Sequence, residues 1–357
     1  MDVTRERALA FRVAAQGLGR QTATVAAAVL DLGVQHHQSS VAVALAARLP
    51  EGPPAGGGLA WTHRGAPHRH HDGALARWSR ALRPLADADA ASRLNRTADE
   101  GPGSLDAIDR TAAVLGEVVT APMTKGEVST AVSRRLPRDL QRDCPSCGVV
   151  HVYEQLLRLA ALPAGVTLEA GRTLRLLPPA PDWERPSGPG TASEVADLVR
   201  AAVRVHGPVT AADLAGWIGT SVGALRPAVD AADLLPVLLE GRDAWVARDQ
   251  EALLRDPPSG PGLRLLPPFD PLLSARDRAL LVPDAGLRRA LWPALGHPGA
   301  VLVGTEIVGT WRPRASGRAL TLEVMASGEL PRALLDDEAA WVANARGLRL
   351  RAVSVAA

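Results

Sequence analysis

The stretch Leu32-Gly33-Val34-Gln35-His36-His37-Gln38-Ser39-Ser40 gathers side chains that can do chemistry. From Gln35 on it is polar throughout, in a region otherwise written in Ala, Val and Leu. A carboxamide carries both donor and acceptor and can orient a water molecule. A neutral imidazole, with an ordinary pKa of ~6.5, can accept that water's proton. In an extended segment Gln35 and His37 fall on one side, and His36 and Gln38 on the other. Such a pair can hold water against a reacting carbon. The alternative is a solvated loop that does no more than cap the helix after it.

Helical patterns flank the loop, at 4–16 and 22–32 before it and 41–49 after it. Thr22 or Thr24 can cap the second helix, and Ser39 or Ser40 the third. Residues 50–58, rich in Gly and Pro, read as a loop. A short strand from Leu59 to Thr62 then runs into His63-Arg64-Gly65-Ala66-Pro67-His68-Arg69-His70-His71, the pattern of a hairpin or wing. Three readings stay open there: a groove or phosphate contact, a solvated turn, or a metal site, for which Asp72 alone is at hand as a carboxylate.

Helices are expected at 73–82, 87–96 and 104–119. Thr124 and Glu127 are spaced as a capping box for a helix that Pro137 stops. That helix, with Lys125, Arg134 and Arg135, is a candidate recognition helix of a helix-turn-helix unit. Cys144, Cys147 and His151 have zinc-knuckle spacing, but three ligands are one short of a structural site, and a plain dithiol is the other reading. A helix at 153–163, a strand pair within 166–178 and a linker at 179–190 follow.

Next come helices at 193–205, 211–218 and 222–229, then strands at 237–239 and 244–247 joined by Glu240-Gly241-Arg242-Asp243. Three helices and a hairpin make a winged-helix pattern. Its third helix holds only Arg226, so the module reads as architectural rather than base-reading. Strands are expected at 300–304, 306–311 and 319–325, a helix at 331–346 and a last strand at 348–355. The segment from Thr310 to Arg318 carries Arg312, Arg314 and Arg318, and is either a phosphate-contact loop or a basic hairpin tip.

The 357 residues, 46% hydrophobic and 22% charged, suit a soluble chain of several modules. No apolar run approaches the ~18 residues of a membrane span, and the N-terminus is not signal-like. Two Cys make a reducing cytoplasmic setting the expectation. A net charge of +2 permits nucleic-acid binding without demanding it. All basic residues but Lys125 are Arg, a bias that GC-rich coding would also produce. Eight Trp, two Phe and one Tyr are too few to expect a stacking platform.

Taken together, Gly33-Val34-Gln35-His36-His37, Trp61-Thr62-His63-Arg64-Gly65-Ala66-Pro67-His68, Thr124-Lys125-Gly126-Glu127-Val128-Ser129 and Val308-Gly309-Thr310-Trp311-Arg312-Pro313-Arg314 resemble the bacterial winged-helix DNA glycosylases of the AlkZ/YcaQ type. The resemblance runs from about residue 5 to 350. It implies a mainly helical α+β chain of tandem winged-helix modules with a C-terminal β-barrel, cradling duplex DNA. The corresponding cut is 1–120, 121–185, 191–256 and 262–357. It implies excision of bulky N7-alkylated purines, interstrand crosslinks included, in repair or in self-resistance to an alkylating natural product. It also implies action without flipping the base into a pocket. The family's signature is Gln-x-Gln or Gln-x-Asp; Gln35 matches it and His37 departs from it. His63 to His68 departs too from the threonine-bearing family version, with Ala66-Pro67 in the middle.

The catalytic expectation is therefore Gln35 orienting water and His37 accepting its proton. DNA contacts are expected from Arg64, His68, Arg69, Lys125, Arg134, Arg312 and Arg314. No cofactor, membrane or protein partner is expected. A regulator or an adduct-sequestering protein on the same scaffold is the alternative. Arg–phosphate contacts predict DNA affinity that falls by about 0.9 log unit per log unit of salt for each phosphate neutralised. A salt titration of duplex binding measures this, and a flat curve would exclude such a grip.

Overall fold

The computed structural model describes residues 1–20, 23–50, 56–94, 103–145 and 148–356. The chain forms two units. One comprises Met1–Ala55, Ala201–Leu214 and Asp233–Ala357, the other Gly56–Arg200 and Ala215–Ala232.

In the first unit, period-two alternation builds a five-stranded sheet in the order Leu263–Leu266, Gly299–Val303, Glu306–Ser316, Ala319–Ala326 and Arg349–Ala356. Neighbours are antiparallel except the last pair, which the helix Arg332–Ala345 joins as a parallel crossover. The two end strands are not paired with one another. The same helix packs on both of them. Leu263, Leu265, Val301, Trp311, Leu320, Leu322 and Val324 point inward against Leu335, Ala339 and Val342 of that helix.

The loop expected at Thr310–Arg318 is a strand as far as Ser316, and the chain turns at Gly317, φ 57°. The register from Gly309↔Ala326 to Ser316↔Ala319 is unbroken. Alternation explains the difference: it sinks Trp311 into the core and leaves Arg312 and Arg314 outside.

The helix Ser40–Ala46, shorter than the 41–49 expected, is held from two sides. Val43 enters the sheet's core. Ala47 enters a second cluster with Leu9, Val13, Leu266, Leu272 and Ile307. Each fully buried aliphatic side chain of this kind stabilises by about 1.5–3 kcal/mol. Beneath the helix lies a buried bidentate ion pair. Arg48 Nη1 and Nη2 each donate to Asp270 at 2.8 Å, and both side chains are 0% exposed. The remaining guanidinium bonds go to the Ala44 carbonyl at 2.8 Å and Gln16 Oε1 at 2.9 Å. Asp270 Oδ1 also accepts from Leu272 N at 3.0 Å. A second buried pair, Arg12–Asp277, anchors the helix Arg5–Ala15.

The hairpin Leu234–Leu239 and Arg242–Ala247 turns through Glu240 and Gly241 alone, φ 48° and 73°, so Arg242 and Asp243, expected in the connection, belong to the second strand. Asp2–Val3 adds to it in parallel. The three helices expected before it are present as Ala192–His206, Ala211–Ile218 and Val222–Ala231.

In the second unit the strands run in the order Pro67–Arg69, Leu59–Trp61, Thr167–Glu169, Arg175–Leu177 and Met123–Thr124. Helices Asp87–Leu94, Ser104–Val118, Lys125–Ser133 and Glu154–Ala161 share a core with them through Leu94, Ile108, Val128, Leu156 and Leu168. The capping box read at Thr124 and Glu127 is present in full. No described helix is long and apolar enough to cross a membrane.

Removing one partner of a buried, hydrogen-bonded ion pair leaves the other charge uncompensated, which costs about 3–5 kcal/mol. Asp270→Ala should destabilise the fold by that amount in urea unfolding. A loss below about 1 kcal/mol would show that the pair carries no such weight.

Candidate active site

Gly33, at φ 103°, ends the helix Ala23–Leu32 where a side chain would be strained. Val34 is buried, so its extended neighbour Gln35 faces outward, half-buried. The extended strand ends at Gln35, so alternation does not reach His37, which lies in a bend before the turn at Gln38, φ 51°. Ser40 closes that turn. Its Oγ accepts from His37 N–H at 2.9 Å and donates to the Gln35 carbonyl at 2.9 Å, while its own N–H donates to the His37 carbonyl at 2.9 Å. Of the two caps expected, Ser39 makes no side-chain capping bond, and Ser40 turns back to fix the loop instead. One hydroxyl thus ties together the backbones of both candidate catalytic residues.

Among the described residues, neither the Gln35 carboxamide nor a ring nitrogen of His37 has a hydrogen-bond partner. Both remain available to water and substrate. The His37 ring, at an exposed position, meets Phe269 edge-on, with centroids 5.2 Å apart at 63°. Phe269 in turn meets His297 at 4.9 Å and 56°. Partial burial of the His37 ring holds its pKa below the ordinary value, and His297 adds like-charge repulsion. His37 is thus a neutral proton acceptor at pH 7.

Phe269 sits in Pro267-Pro268-Phe269-Asp270-Pro271 with φ 62°. A non-glycine residue held there costs on the order of 1–3 kcal/mol and persists only where its surroundings dictate it. Here Asp270 is clamped by Arg48, and the Leu266 carbonyl accepts from Trp311 Nε1 at 2.8 Å. Arg312 stands next to this group: a Cβ on Gly296 would lie 3.9 Å from its Nη1. The sequence reading missed Phe269, His297 and Asp270. The visible signal was a proline-flanked Phe in a chain with two of them.

Arg64, His68 and Arg69 lie in the second unit. Arg64 is exposed at φ 56°, with Nη1 3.5 Å from the Trp217 carbonyl. Arg69 donates to the Gly56 carbonyl. His68 is 5% exposed, packed with His63 and His70, and so is not placed to touch DNA. Its Nδ1 lies 2.9 Å from the Ala66 carbonyl, which can only accept, so Nδ1 carries the proton. Thr62 Oγ1, 2.9 Å from that nitrogen, is then free to donate to His70 Nε2 at 3.3 Å. Burial first, and then His70, push the His68 pKa down to about 3. The segment is thus a packed hairpin and not a solvated turn: polarity hid its burial from a reading by composition.

Lys125 and Arg134 are exposed on and just after the helix Lys125–Ser133, Lys125 pairing with Glu154 at 2.9 Å. Arg312 and Arg314 are exposed on their strand, Arg314 pairing with Glu323 at 3.0 Å. Cys144 and His151 lie on paired strands Gln141–Cys144 and Val149–Val152, and Cys147 lies outside the described residues. His151 Nδ1 donates to the Val152 carbonyl at 2.7 Å, which, with Cys144, raises its pKa. Among the described residues no three His, Cys, Asp or Glu side chains gather as a metal site.

A carboxamide can orient water and a neutral imidazole can accept its proton, and one short loop carries both. The family profile described as DNA glycosylase AlkZ-like matches residues 29–349. The chain belongs to this family and is a DNA glycosylase, an enzyme of DNA repair. In structure it is similar to the DNA glycosylase AlkZ of Streptomyces sahachiroi, with a TM-score of 0.76, 20% identity and 100% of each chain covered. No curated protein matches the sequence.

Ser40→Ala removes two hydrogen bonds at once and should cost about 1–2 kcal/mol, at roughly 0.5–1.5 kcal/mol each. The amide proton of His37 should then exchange faster with solvent. Unaltered protection of that amide would mean that Ser40 does not hold the loop.

Proposed function

We propose that this glycosylase hydrolyses the N-glycosidic bond of bulky N7-alkylated purines in duplex DNA, with Gln35 and His37 as its catalytic residues. The observation that carries this is the pairing of an unengaged carboxamide with a neutral, unengaged imidazole on one clamped loop. An N7-alkylated guanine is cationic, so its C1′–N9 bond is already labile and needs no protonation. As that bond breaks, its electron pair neutralises the purine, and the sugar takes on oxocarbenium character. Gln35 orients a water molecule through its amide. As the water oxygen bonds to C1′, His37 accepts the proton and later returns it to solvent. The products are the free alkylated base and an abasic site. Interstrand crosslinks and natural-product adducts at N7 fall within the same chemistry.

DNA is held, on this reading, through Arg312 and Arg134, with Arg64, Arg69, Arg314 and Lys125 exchanging their present partners for phosphate. His68 is left out because it is buried. Helices Ala192–His206, Ala211–Ile218 and Val222–Ala231 with the hairpin after them support a winged-helix module at 191–256. Modules at 1–120 and 121–185 belong to the same proposal. The five-stranded sheet supports a barrel-like domain at 262–357.

The test is base release from duplexes carrying 7-methylguanine or a bulky N7-guanine adduct. Wild type should release base, and the Gln35→Ala/His37→Ala double variant should lose about a hundredfold or more. An equally active double variant would place the chemistry elsewhere. Because His37 acts as a base with a depressed pKa, the rate should be level above about pH 6.5 and fall only below it. A flat profile through the imidazole range would rule out His37 as the base.

A further inference from the structure

We infer that Phe269 and His297 are positioning residues of this glycosylase: Phe269 fixes the orientation of the His37 imidazole, and His297 packs at a tilt against Phe269 to complete the assembly. The inference rests on the assignment of His37 as the base. It starts from an oddity of sequence: one of the chain's two phenylalanines lies among prolines, far from the catalytic loop, yet its ring meets His37. The ring is not there as core filler. It is half-buried, and its backbone is held at φ 62°.

Two constraints hold it in place. On one side Asp270 is locked to Arg48, just beyond the helix that follows the catalytic loop. On the other, Trp311 binds the Leu266 carbonyl and packs on Gly299. A Cβ on Gly299 would come within 2.3 Å of Trp311 Nε1 and 2.4 Å of the Leu266 carbonyl oxygen. One indole therefore sets both the segment bearing Phe269 and the segment bearing His297. The catalytic loop and its two aromatic neighbours share one rigid support.

The arrangement restricts His37 in two ways. An edge contact with Phe269 limits the swing of a ring that has no hydrogen bond to hold it. A second imidazole nearby disfavours the charged form of the first. The other titratable or charged groups of the surroundings are His36 on the loop itself, the Arg48–Asp270 pair, in which opposite charges offset each other, and Arg312 beside the His297 loop.

The experiment measures single-turnover base release against pH for wild type, Phe269→Leu, Phe269→Tyr and His297→Asn, with duplex affinity measured in parallel. The His37 pKa is read directly by NMR. Phe269→Leu should lower the rate about tenfold with DNA affinity unchanged, while Phe269→Tyr should restore it. His297→Asn should move the acid limb and the His37 pKa upward, toward about 6.5. Thermal unfolding identifies variants that fail to fold; Phe269→Tyr and His297→Asn keep the ring and a polar group in place. Rates and His37 titration like wild type in Phe269→Leu and His297→Asn would overturn the inference and leave the glycosylase reading intact. No base release from wild type would instead remove the reading on which it rests.

Discussion

The Arg48–Asp270 pair is the contact on which the site depends. Two opposite charges taken fully out of water are costly, and only a bidentate geometry with every other hydrogen bond satisfied repays that cost. This pair comes close to it, through the Ala44 carbonyl, Gln16 and the Leu272 amide. Its value is directional rather than energetic. A hydrophobic replacement could hold the helix Ser40–Ala46 and the segment around Asp270 together, but it would let them slide. A guanidinium gripping both carboxylate oxygens does not. The strained backbone of Phe269, one residue from Asp270, is tolerable because its neighbour cannot move.

The chemistry needs little more than such rigidity. On the proposed reading a cationic purine is ready to leave, so the enzyme would supply position and one proton acceptor. Ser40 joins the two candidate catalytic residues through their backbones, which leaves both side chains available. A His where the family signature has Gln or Asp brings a group that must be kept neutral to work. Partial burial and a second imidazole push in that direction.

What was legible in the sequence was local. The capping box at Thr124 and Glu127 is decided within a few residues and came out as read, and the hairpin at Glu240-Gly241 is present with a tighter turn than the four-residue connection expected. The polar loop stood out because its composition broke with its surroundings. What was hidden was long-range or two-faced. Arg48 and Asp270 are 222 positions apart, and nothing local distinguishes either from a surface charge. Phe269 and His297 reach His37 only through the fold. The histidines after Trp61 left a groove contact, a solvated turn and a metal site all open, but His68 and His70 are buried and both meet Thr62 Oγ1 inside a hairpin. Thr310 to Arg318 read as a loop because Pro313 and the arginines obscured its alternation.

Gly299 leaves the chain little room to vary. No side chain fits between its Cα, the Trp311 indole and the Leu266 carbonyl, and because that carbonyl is backbone, replacing Trp311 would not make room at Gly299. Any lineage or library that explores new lesions must therefore leave this hinge of three segments untouched. On the proposed reading, variation in substrate range would be channelled to side chains such as those at positions 38 and 312, which are exposed.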